Sequence, residues 1–375
     1  MQRLKVAVGI SGGVDSAVAA WLLKKKGFDV HGVYMVNWDS VEEGTSNCPR
    51  TKDEADARRV CEKLDIPFST VNFVKEYWNE VFVKMLDNYR LGRTVVPDIA
   101  CNRQIKFEHL HNYAIEHLGA DFIATGHYAS TSFGDFQEKK GSGRGIQLLC
   151  GIDPLKDQTY FLCTLRQEQL RRAIFPVGSL TKTKVRRIAR EHGFDEIADK
   201  PESMGICFVG KRKDFDRFID QYIEPNPGEI LTMGGKHLGK HEGVHHFTLG
   251  KRVHIQGCHL GYFVAKIDAK SNIVYVCEGS YHPSLYTTDF CVLEPQWIER
   301  NPLLDRNEAT LECRIQRTHP PVPCRVRRIN QKFLSVQPIL PFRAVADGQM
   351  CVFYNGRECL GGGEVQHIIS TLSYN

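Results

Sequence analysis

Residues 9–16 of the chain read Gly9-Ile10-Ser11-Gly12-Gly13-Val14-Asp15-Ser16. An apolar run, Leu4 to Gly9, precedes this stretch, and a helical pattern, Ala17 to Lys26, follows it, so the predicted order is strand, turn, helix. Glycines let the backbone approach an anion closely. The unpaired first amides of a helix, together with its dipole, favour negative charge at the same point. With hydroxyl groups from Ser11 and Ser16, the stretch predicts a phosphate-binding loop.

Asp15 is the carboxylate of this loop and is placed to hold Mg²⁺ against bound phosphates. The alternative is an ordinary strand–turn–helix corner that happens to be rich in serine and glycine. The loop is neither a Walker A motif nor a Rossmann fingerprint, because both the Gly-Lys-Ser/Thr ending and the Gly-x-Gly-x-x-Gly spacing are missing. It resembles the PP-loop of ATP pyrophosphatases, which split ATP between the α and β phosphates and transfer AMP to an oxygen. That resemblance implies ATP and leaves the acceptor open.

The first 205 residues or so alternate strand and helix patterns. Strands are predicted at Leu4–Ile10, Val30–Val36, Phe68–Phe73 and Phe122–Thr125, and helices at Asp15–Lys26, Lys52–Leu64, Lys75–Tyr89, Gln104–Leu118 and Lys182–His192. This alternation is typical of an α/β fold with a parallel sheet covered by helices on both faces. Ligands of such sheets bind at the carboxyl ends of the strands, where the phosphate loop falls.

After Cys207 the pattern changes to short alternating runs separated by turn residues, following one more helix at Asp214–Ile223. The runs are His245–Leu249, Gly261–Ile267, Ile273–Val276, Phe290–Leu293, Leu311–Ile315 and Phe333–Val336. They indicate antiparallel sheet or small barrels. We therefore expect three domains: an α/β domain with the PP-loop at 1–207, a central β-rich domain at 208–283 and a C-terminal β-barrel at 284–375.

Bulk composition is that of a globular protein with room for more than one core. The chain has 375 residues, 42% of them hydrophobic and 25% charged, with a net charge of +5. Short basic clusters occur at Arg171-Arg172, Lys182 to Arg190, Lys211-Arg212-Lys213 and Arg325 to Arg328. Each alone is a common solvated face, but together they fit a surface that follows a phosphate backbone.

Cysteine usage and the chain's start bear on its compartment. The 13 cysteines include no C-x-x-C pair, which argues against a zinc ribbon and a secreted disulfide framework. No stretch approaches the roughly 20 apolar residues that cross a bilayer, so we expect no membrane partner. No secretory signal is visible, and because the first strand is predicted from about Leu4 we expect no cleavable presequence ahead of it.

Two cysteines and one aspartate are candidates for chemistry. Cys101 precedes the helix predicted at Gln104–Leu118, and a position near a helix N-terminus favours thiolate over thiol. Asp98 lies three residues earlier, close enough to act as an acid or base. The alternatives are a helix cap for Asp98 and a small buried hydrophobe for Cys101. Cys207, flanked by Gly205 and Gly210, indicates a second loop thiol that could exchange sulfur with Cys101.

Further motifs join the PP-loop in the order found in one family, and they run from residue 4 to about residue 365. They are Tyr34-Met35-Val36-Asn37-Trp38, Pro97-Asp98-x-x-Cys101-Asn102, Ala124-Thr125-Gly126-His127-Tyr128, Lys156-Asp157-Gln158, Gly205-Ile206-Cys207-Phe208 and Cys359-Leu360-Gly361-Gly362-Gly363. The chain resembles the tRNA-specific 2-thiouridylases. The amino-acid sequence at residues 75–79 and 202–212 is most similar to the mitochondrial branch of that family.

The resemblance implies a role for each matching residue. Residues 9–16 would bind the ATP phosphates, Met35 and Gly126 the adenosine, and Asp98 the target base together with Val96 and Pro97. Cys101 would be the nucleophile and Cys207 the carrier of a persulfide. The implied tRNA contacts are His127, Lys156, Asp157, Gln158, Gln316, Arg317 and Gln349. Where the family commonly has Asn-Pro-Asp, this chain has Val96-Pro97-Asp98, so a side-chain contact from Val96 to the base is in doubt.

Some of these residues could instead have a purely structural role. A histidine after a strand, such as His127, is commonly structural, and Lys156 beside Asp157 is commonly a surface ion pair.

The implied activity is ATP-dependent adenylation of O2 of a wobble uridine, followed by sulfur transfer to C2. Implied cofactors and partners are ATP, Mg²⁺, tRNAs of the Lys, Glu and Gln type, and a sulfur-relay protein that donates persulfide. The implied location is the mitochondrial matrix, with the cytoplasm as the alternative. Two rivals remain: an amide-forming PP-loop ligase with a small substrate, which gives the cysteines no task, and a non-enzymatic tRNA-binding protein with a relic ATP site.

Overall fold

The computed structural model describes residues 3–38, 49–138, 145–201, 215–255 and 259–373. Its strands are β1 Lys5–Gly9, β2 Asp29–Val36, β3 Phe68–Asn72, β4 Phe122–Ala124, β5 Ala129–Thr131, β6 Leu148–Cys150, β7 Ala173–Ile174, β8 Gly228–Thr232, β9 His237–His241, β10 Arg252–Val253, β11 Tyr262–Asp268, β12 Ile273–Glu278, β13 Tyr286–Leu293, β14 Gln296–Trp297, β15 Glu308–Arg314, β16 Val322–Arg328, β17 Phe333–Pro338, β18 Phe342–Arg343, β19 Met350–Asn355 and β20 Glu358–Thr371.

The α-helices are α1 Val14–Lys25, α2 Pro49–Lys63, α3 Val74–Tyr77, α4 Val83–Arg90, α5 Pro97–Ala100, α6 Leu110–Glu116, α7 Thr159–Leu162, α8 Gln167–Arg171, α9 Lys182–Glu191, α10 Asp195–Ala198 and α11 Phe215–Ile219. A π-helical segment, Trp78–Phe82, joins α3 to α4, and another, Cys101–His109, joins α5 to α6. Short 3₁₀ turns occur at Val244–His246 and Pro283–Leu285.

The N-terminal sheet is parallel, as the alternating pattern predicted, with strand order β3-β2-β1-β4-β7. Side chains of β1 alternate between two cores: Val6 and Val8 pack into one, and Ala7 packs into the other. A central strand that is buried on both faces has a continuous apolar sequence. The apolar run before the phosphate loop therefore predicted this strand correctly. The phosphate loop therefore lies at the carboxyl end of the central strand.

The helix that carries Cys101 begins earlier than the sequence predicted. Val96 is extended and Pro97 occupies the first helical position, where its missing N–H costs nothing. Cys101 consequently lies one turn inside the helix, and its own N–H points at the carbonyl groups of Pro97 and Asp98. The predicted position of Cys101 beside a helix N-terminus was wrong by one turn.

The central sheet has the order β10-β11-β12-β8-β9 and is antiparallel except for the parallel pair of β8 and β12. The strand predicted at His245–Leu249 is absent from this described sheet. Residues Val244–His246 instead form a 3₁₀ turn, while Phe247 and Leu249 pack on the apolar side of the sheet. The alternating apolar residues of this stretch therefore pack against the sheet from a turn and not from a strand. The two histidines between them point to Asp220.

The C-terminal region closes into a barrel of six strands in the order β13-β17-β16-β15-β19-β20, with β20 pairing back to β13. The β-barrel expectation is confirmed. One edge of the barrel continues into the N-terminal region, because β6 pairs with β20 through Leu148 and Cys359. Backbone hydrogen bonds thus join the barrel to the region that carries the phosphate loop.

Two further expectations concern membranes and disulfides. In the described part of the chain, every helix is too short or too polar to cross a membrane. The cysteines that the structure describes are free thiols.

Candidate active site

The phosphate loop has the backbone geometry that its glycines predict. Gly12 has a φ of +72°, and a Cβ at this residue would lie 2.4 Å from the carbonyl oxygen of Asp53. Only glycine fits such a conformation without displacing backbone. Gly13 is the N-cap of α1 and carries no side-chain cap, so the first-turn amides of the helix face the loop. Ile10 and Val14 are buried and anchor both ends of the turn in the core.

The two loop serines form one hydroxyl cluster. Their Oγ atoms lie 3.2 Å apart, and the backbone N–H of Ser11 donates to the Oγ of Ser16 over 3.1 Å. The Oγ of Ser16 donates in turn to the carbonyl of Gly13 over 3.0 Å. Ser11 is exposed and Ser16 is buried, so Ser16 braces the loop from below while the Ser11 hydroxyl faces outward.

The Asp15 carboxylate is held by two donors that the sequence analysis did not single out. Lys182 Nζ, at the start of α9, lies 2.7 Å from both carboxylate oxygens, and the hydroxyl of Tyr128 donates to Oδ1 over 2.8 Å. A magnesium ion bound by this carboxylate would share it with the Lys182 ammonium or displace that ammonium. The predicted Mg²⁺ ligation by Asp15 therefore stays a prediction, and the observed cation beside the loop is a lysine.

A second ammonium contacts the loop from the other side. Lys200 Nζ donates to the carbonyl of Gly12 over 3.0 Å and to Asp53 over 3.1 Å, and it forms an ion pair with the buried Asp56. Two lysines thus flank the turn in addition to the helix dipole. The basic cluster around Lys182 was visible in the sequence but was assigned to an RNA surface. Lys200 stood alone and gave no signal.

The residues expected to contact adenosine lie beside the loop. A Cβ built on Gly9 would stand 3.7 Å from Met35 Cε and 3.8 Å from the carbonyl of Ala124. Gly126, directly after β4, is so close to α1 that a Cβ there would lie 2.7 Å from the amide nitrogen of Ser16. The carboxyl ends of β1, β2 and β4 therefore bring all three residues to one edge of the sheet.

Asp98 and Cys101 occupy neighbouring positions on one helical face, three residues apart. Asp98 is half-buried, and this burial raises the pKa of its carboxyl, although Lys106 lowers it in part. Cys101 is 2% exposed and packs in the larger N-terminal core. The next residue, Asn102, donates to the carbonyl of Phe161 over 3.1 Å and so ties this helix to α7.

Of the other residues expected at this point, Val96 is half-buried and Pro97 is buried. Cys207, with Gly205 and Gly210, lies outside the described residues, so its position relative to Cys101 stays a prediction.

His127 is buried among aromatic rings next to the sheet edge. Its Nδ1 lies 2.7 Å from the Thr125 hydroxyl, and Phe107 and Phe175 contact the ring. Burial, with a further contribution from Lys106, lowers the pKa of His127 well below its ordinary value, so the imidazole is neutral.

Lys156-Asp157-Gln158 connects the phosphate loop to the barrel. Gln158 accepts the backbone N–H of Tyr128 over 2.9 Å, and Tyr128 reaches Asp15. Asp157 is 3% exposed and forms a buried ion pair with Arg314 of the barrel. Arg314 Nη2 also lies 2.6 Å from the hydroxyl of Tyr354. The guanidinium therefore pairs with the Asp157 carboxylate and hydrogen-bonds the Tyr354 hydroxyl in the same buried network.

The barrel residues expected to contact tRNA surround this junction. The Tyr160 hydroxyl lies 2.8 Å from the carbonyl of Ile315 and 3.0 Å from that of Met350, which places Gln316 and Gln349 beside α7. Arg317 Nη1 donates to the carbonyl of Leu155 over 2.7 Å, so it lies next to Lys156. Lys156, Gln158, Gln316 and Arg317 are half-buried, whereas Gln349 is buried.

Family models match the chain in three consecutive stretches. They are described as a tRNA methyl transferase HUP domain at residues 4–211, a tRNA methyl transferase PRC-barrel domain at 216–278 and an aminomethyltransferase β-barrel domain at 287–365. The chain is also 58% identical over 374 residues to the probable mitochondrial tRNA-specific 2-thiouridylase 1 of Caenorhabditis elegans, covering 98% of this chain and 100% of that protein. The chain belongs to the tRNA-specific 2-thiouridylase family.

Other members span the same length. The mitochondrial tRNA-specific 2-thiouridylase 1 of Gallus gallus is 42% identical, with 96% of this chain and 91% of that protein covered. The tRNA-specific 2-thiouridylase MnmA of Shigella boydii is 42% identical, with 96% of each chain covered. The family resemblance inferred from the motifs is confirmed.

Proposed function

We propose that this protein is a tRNA-uridine 2-sulfurtransferase. It would activate O2 of a wobble uridine with ATP and replace that oxygen by sulfur, acting on tRNAs of the Lys, Glu and Gln type. The observation that carries the proposal is the match along 98% of the chain to a protein named as a tRNA-specific 2-thiouridylase. The geometry supports it, since the phosphate loop and the helix with Asp98 and Cys101 belong to one parallel-sheet region.

The first half-reaction would activate the C2 oxygen of uracil for displacement. The C2 oxygen of uracil is a poor leaving group, and transfer of AMP to it makes it a good one. Residues 9–16 offer helix amides and hydroxyls to the phosphates, while Lys182 and Lys200 supply positive charge on either side of the turn. Mg²⁺ would add charge neutralisation for the pyrophosphate released. Met35, Gly9 and Gly126 lie together at the carboxyl ends of the parallel strands, where the adenosine would bind.

The second half-reaction moves sulfur. The terminal sulfur of a Cys207 persulfide would attack C2, AMP would leave with the former C2 oxygen, and the uracil would then be joined to Cys207 through a disulfide bond. The Cys101 thiolate would attack the Cys207 sulfur, releasing 2-thiouridine and leaving a Cys101–Cys207 disulfide. Two cellular thiol groups would supply the two electrons that restore both cysteines and would themselves end as a disulfide. Asp98 would manage the protons, a role to which its raised pKa is suited.

The residues expected to recognise tRNA would have two roles: some would contact the RNA, and others would hold those residues in place. Lys156, Gln316 and Arg317, which are half-buried at the rim, would touch the RNA. Asp157 and Gln349 are buried, so we propose that they act by holding those neighbours in place. The wobble base must leave its stack to reach the site, at a cost of a few kcal/mol that backbone contacts offset. We keep 1–207, 208–283 and 284–375 as the proposed functional units.

We also propose that the protein works in mitochondria, in the matrix, and receives persulfide from a sulfur-relay protein. Support comes from the printed names of the relatives in Caenorhabditis elegans and Gallus gallus, both described as mitochondrial. Cell fractionation with an antibody to the native chain would test the location. Recovery with cytosolic markers alone would contradict it.

The function is tested with purified chain, ATP, a persulfide donor and unmodified tRNA, followed by mass spectrometry of the nucleosides. We expect 2-thiouridine with one AMP and one pyrophosphate per sulfur, and none with Asp15→Ala or Cys101→Ser. Because the family models are described as methyl transferases, a parallel reaction includes S-adenosylmethionine as a methyl donor, and a methyl mass increment there with no sulfur exchange in either reaction would overturn the proposal. Pyrophosphate release without 2-thiouridine from the native chain, unchanged in Cys101→Ser, would favour an amide-forming ligase. Binding of tRNA without pyrophosphate release, unchanged in Asp15→Ala, would favour a non-enzymatic role.

A further inference from the structure

Two adjacent histidines of the central region share one carboxylate oxygen. His245 Nε2 lies 3.0 Å from Asp220 Oδ1, and His246 Nε2 lies 2.6 Å from the same oxygen. The rings of the two histidines are 4.1 Å apart between centroids. All three potential ligand atoms lie within 4.8 Å of one another. None of these residues belongs to the phosphate loop or to the helix with Cys101.

The chemistry of this set is that of a transition-metal site. Two imidazole nitrogens and one carboxylate oxygen are a common protein ligand set for Zn²⁺, with bonds of about 2.0–2.2 Å. Tetrahedral bonds of that length put ligand atoms roughly 3.3 Å apart. The observed separations of 3.0 and 2.6 Å to Asp220 are both shorter than this, so the carboxylate has to move away from the two rings by less than about 1 Å to admit an ion.

The surroundings favour a bound ion over a chance surface contact. The His245 side chain is 3% exposed and that of His246 is 23% exposed, so both rings are held by packing. A cavity of about 220 Å³ adjoins them and is lined by both histidines, Thr248, Tyr89 and Arg93. Its space leaves room for a water molecule as a fourth ligand.

We propose that Asp220, His245 and His246 form a zinc site in which water completes the coordination. The site lies where three parts of the chain meet: Asp220 directly follows α11, the histidines belong to the 3₁₀ turn of the central sheet, and Tyr89 and Arg93 come from the end of α4 and the residues after it. Zn²⁺ fastens α11 to the central sheet.

The test uses the full chain, stripped with a chelator, kept reduced and then titrated with Co²⁺ and Zn²⁺. We expect one Co²⁺ per chain with the visible absorption of tetrahedral nitrogen and oxygen ligation, displaced by Zn²⁺. Asp220→Asn and His246→Gln should weaken Zn²⁺ binding by roughly 100-fold or more, since each removes one of three protein ligands. Their thermal unfolding without metal should match that of the metal-free native chain.

The matched control is His237→Gln, because His237 also pairs with a carboxylate, Glu229, on the same sheet but has no third ligand among the residues that the structure describes. It should retain the full stoichiometry and affinity. No stoichiometric binding, thiolate-type absorption, or equal binding by Asp220→Asn would overturn the proposal. Should both variants fail to fold, the native chain decides: Zn²⁺ must raise its Tm above that of the chelated chain, and an unchanged Tm would contradict the site.

Discussion

Gly12 is the residue on which the phosphate loop depends most directly. Its φ of +72° and the 2.4 Å approach of the Asp53 carbonyl leave no room for a Cβ. Gly12→Ala should therefore distort the loop, at a backbone cost of about 1–2 kcal/mol before any steric contact is counted. We expect kcat/KM for ATP to fall at least about tenfold, measured by pyrophosphate release.

The control for this substitution is Gly27→Ala. Gly27 also has a positive φ, +88°, but nothing lies within 4 Å of its would-be Cβ. Its alanine variant should lose similar stability from backbone strain and keep its ATP kinetics. Equal kinetic losses in the two variants would show that strain alone, and not the loop's close approach, explains the effect.

Asp98 provides a prediction in which stability and activity move in opposite directions. Burial raises the pKa of this carboxyl, so the folded state disfavours its ionised form. The folded chain then holds its proton to higher pH than the unfolded chain, and this residue's contribution to stability falls as pH rises above the ordinary value of 3.8.

Asp98→Asn should accordingly raise Tm at neutral pH while abolishing sulfur transfer. The Tm difference should shrink as pH falls from neutral toward 3.8, because the folded chain regains its proton above that pH. Thermal melts across pH would measure it. A lower Tm for Asp98→Asn at neutral pH would contradict the raised pKa.

At the scale of elements, α9 meets the phosphate loop through Lys182, whose side chain is only 13% exposed. Lys182→Met should raise the KM for ATP by roughly tenfold or more, since a charge-assisted contact is worth about 1.5–3 kcal/mol and Asp15 would be left uncompensated. Lys184→Met on the same helix, with an exposed side chain, is the control and should leave that KM unchanged. Equal effects would mean that the net charge of the helix matters and not the contact.

Sequence patterns predicted these elements well where local signals agreed. Strands β1 to β4, the phosphate loop, α1 and α9 were predicted close to their observed bounds because apolar period and glycines coincide there. The two-residue strand β7 at the edge of the parallel sheet was not predicted. The start of the helix at Pro97 was missed, since the apolar pattern begins only later, at Ile105. His245 and His246 broke the strand prediction because a polar contact to Asp220 decides their conformation.

Across the whole molecule, the Asp157–Arg314 pair joins the catalytic region to the barrel. Both side chains are 4% exposed, so either charge would be stranded without its partner. Asp157→Asn or Arg314→Met should destabilise the chain by about 3–5 kcal/mol, measured by denaturant unfolding. Arg325→Met breaks an exposed pair with Glu308 in the same barrel and should cost no measurable stability. If Arg314→Met lowered the free energy of unfolding as little as Arg325→Met does, the buried pair would not stabilise this junction.

Long-range partners of this kind could not be predicted from the sequence. Asp157 and Arg314 are 157 residues apart, and no local pattern relates them. The same limit applies to Lys182 and Lys200 at the phosphate loop, which lie 167 and 188 residues from Asp15 and Gly12. The motifs predicted which side chains matter, whereas the fold determines which of them touch.

The central claim is that the adenylating loop and Cys101 serve one sulfur-transfer reaction. The most direct measurement is a denaturing gel of persulfide-loaded Cys101→Ser mixed with ATP and labelled unmodified tRNA. Without the second thiol, the uridine should stay bound to Cys207 as a protein–tRNA adduct that needs ATP and is released by reductant. Free 2-thiouridine at the native rate, or an adduct that forms equally well without ATP, would contradict the account.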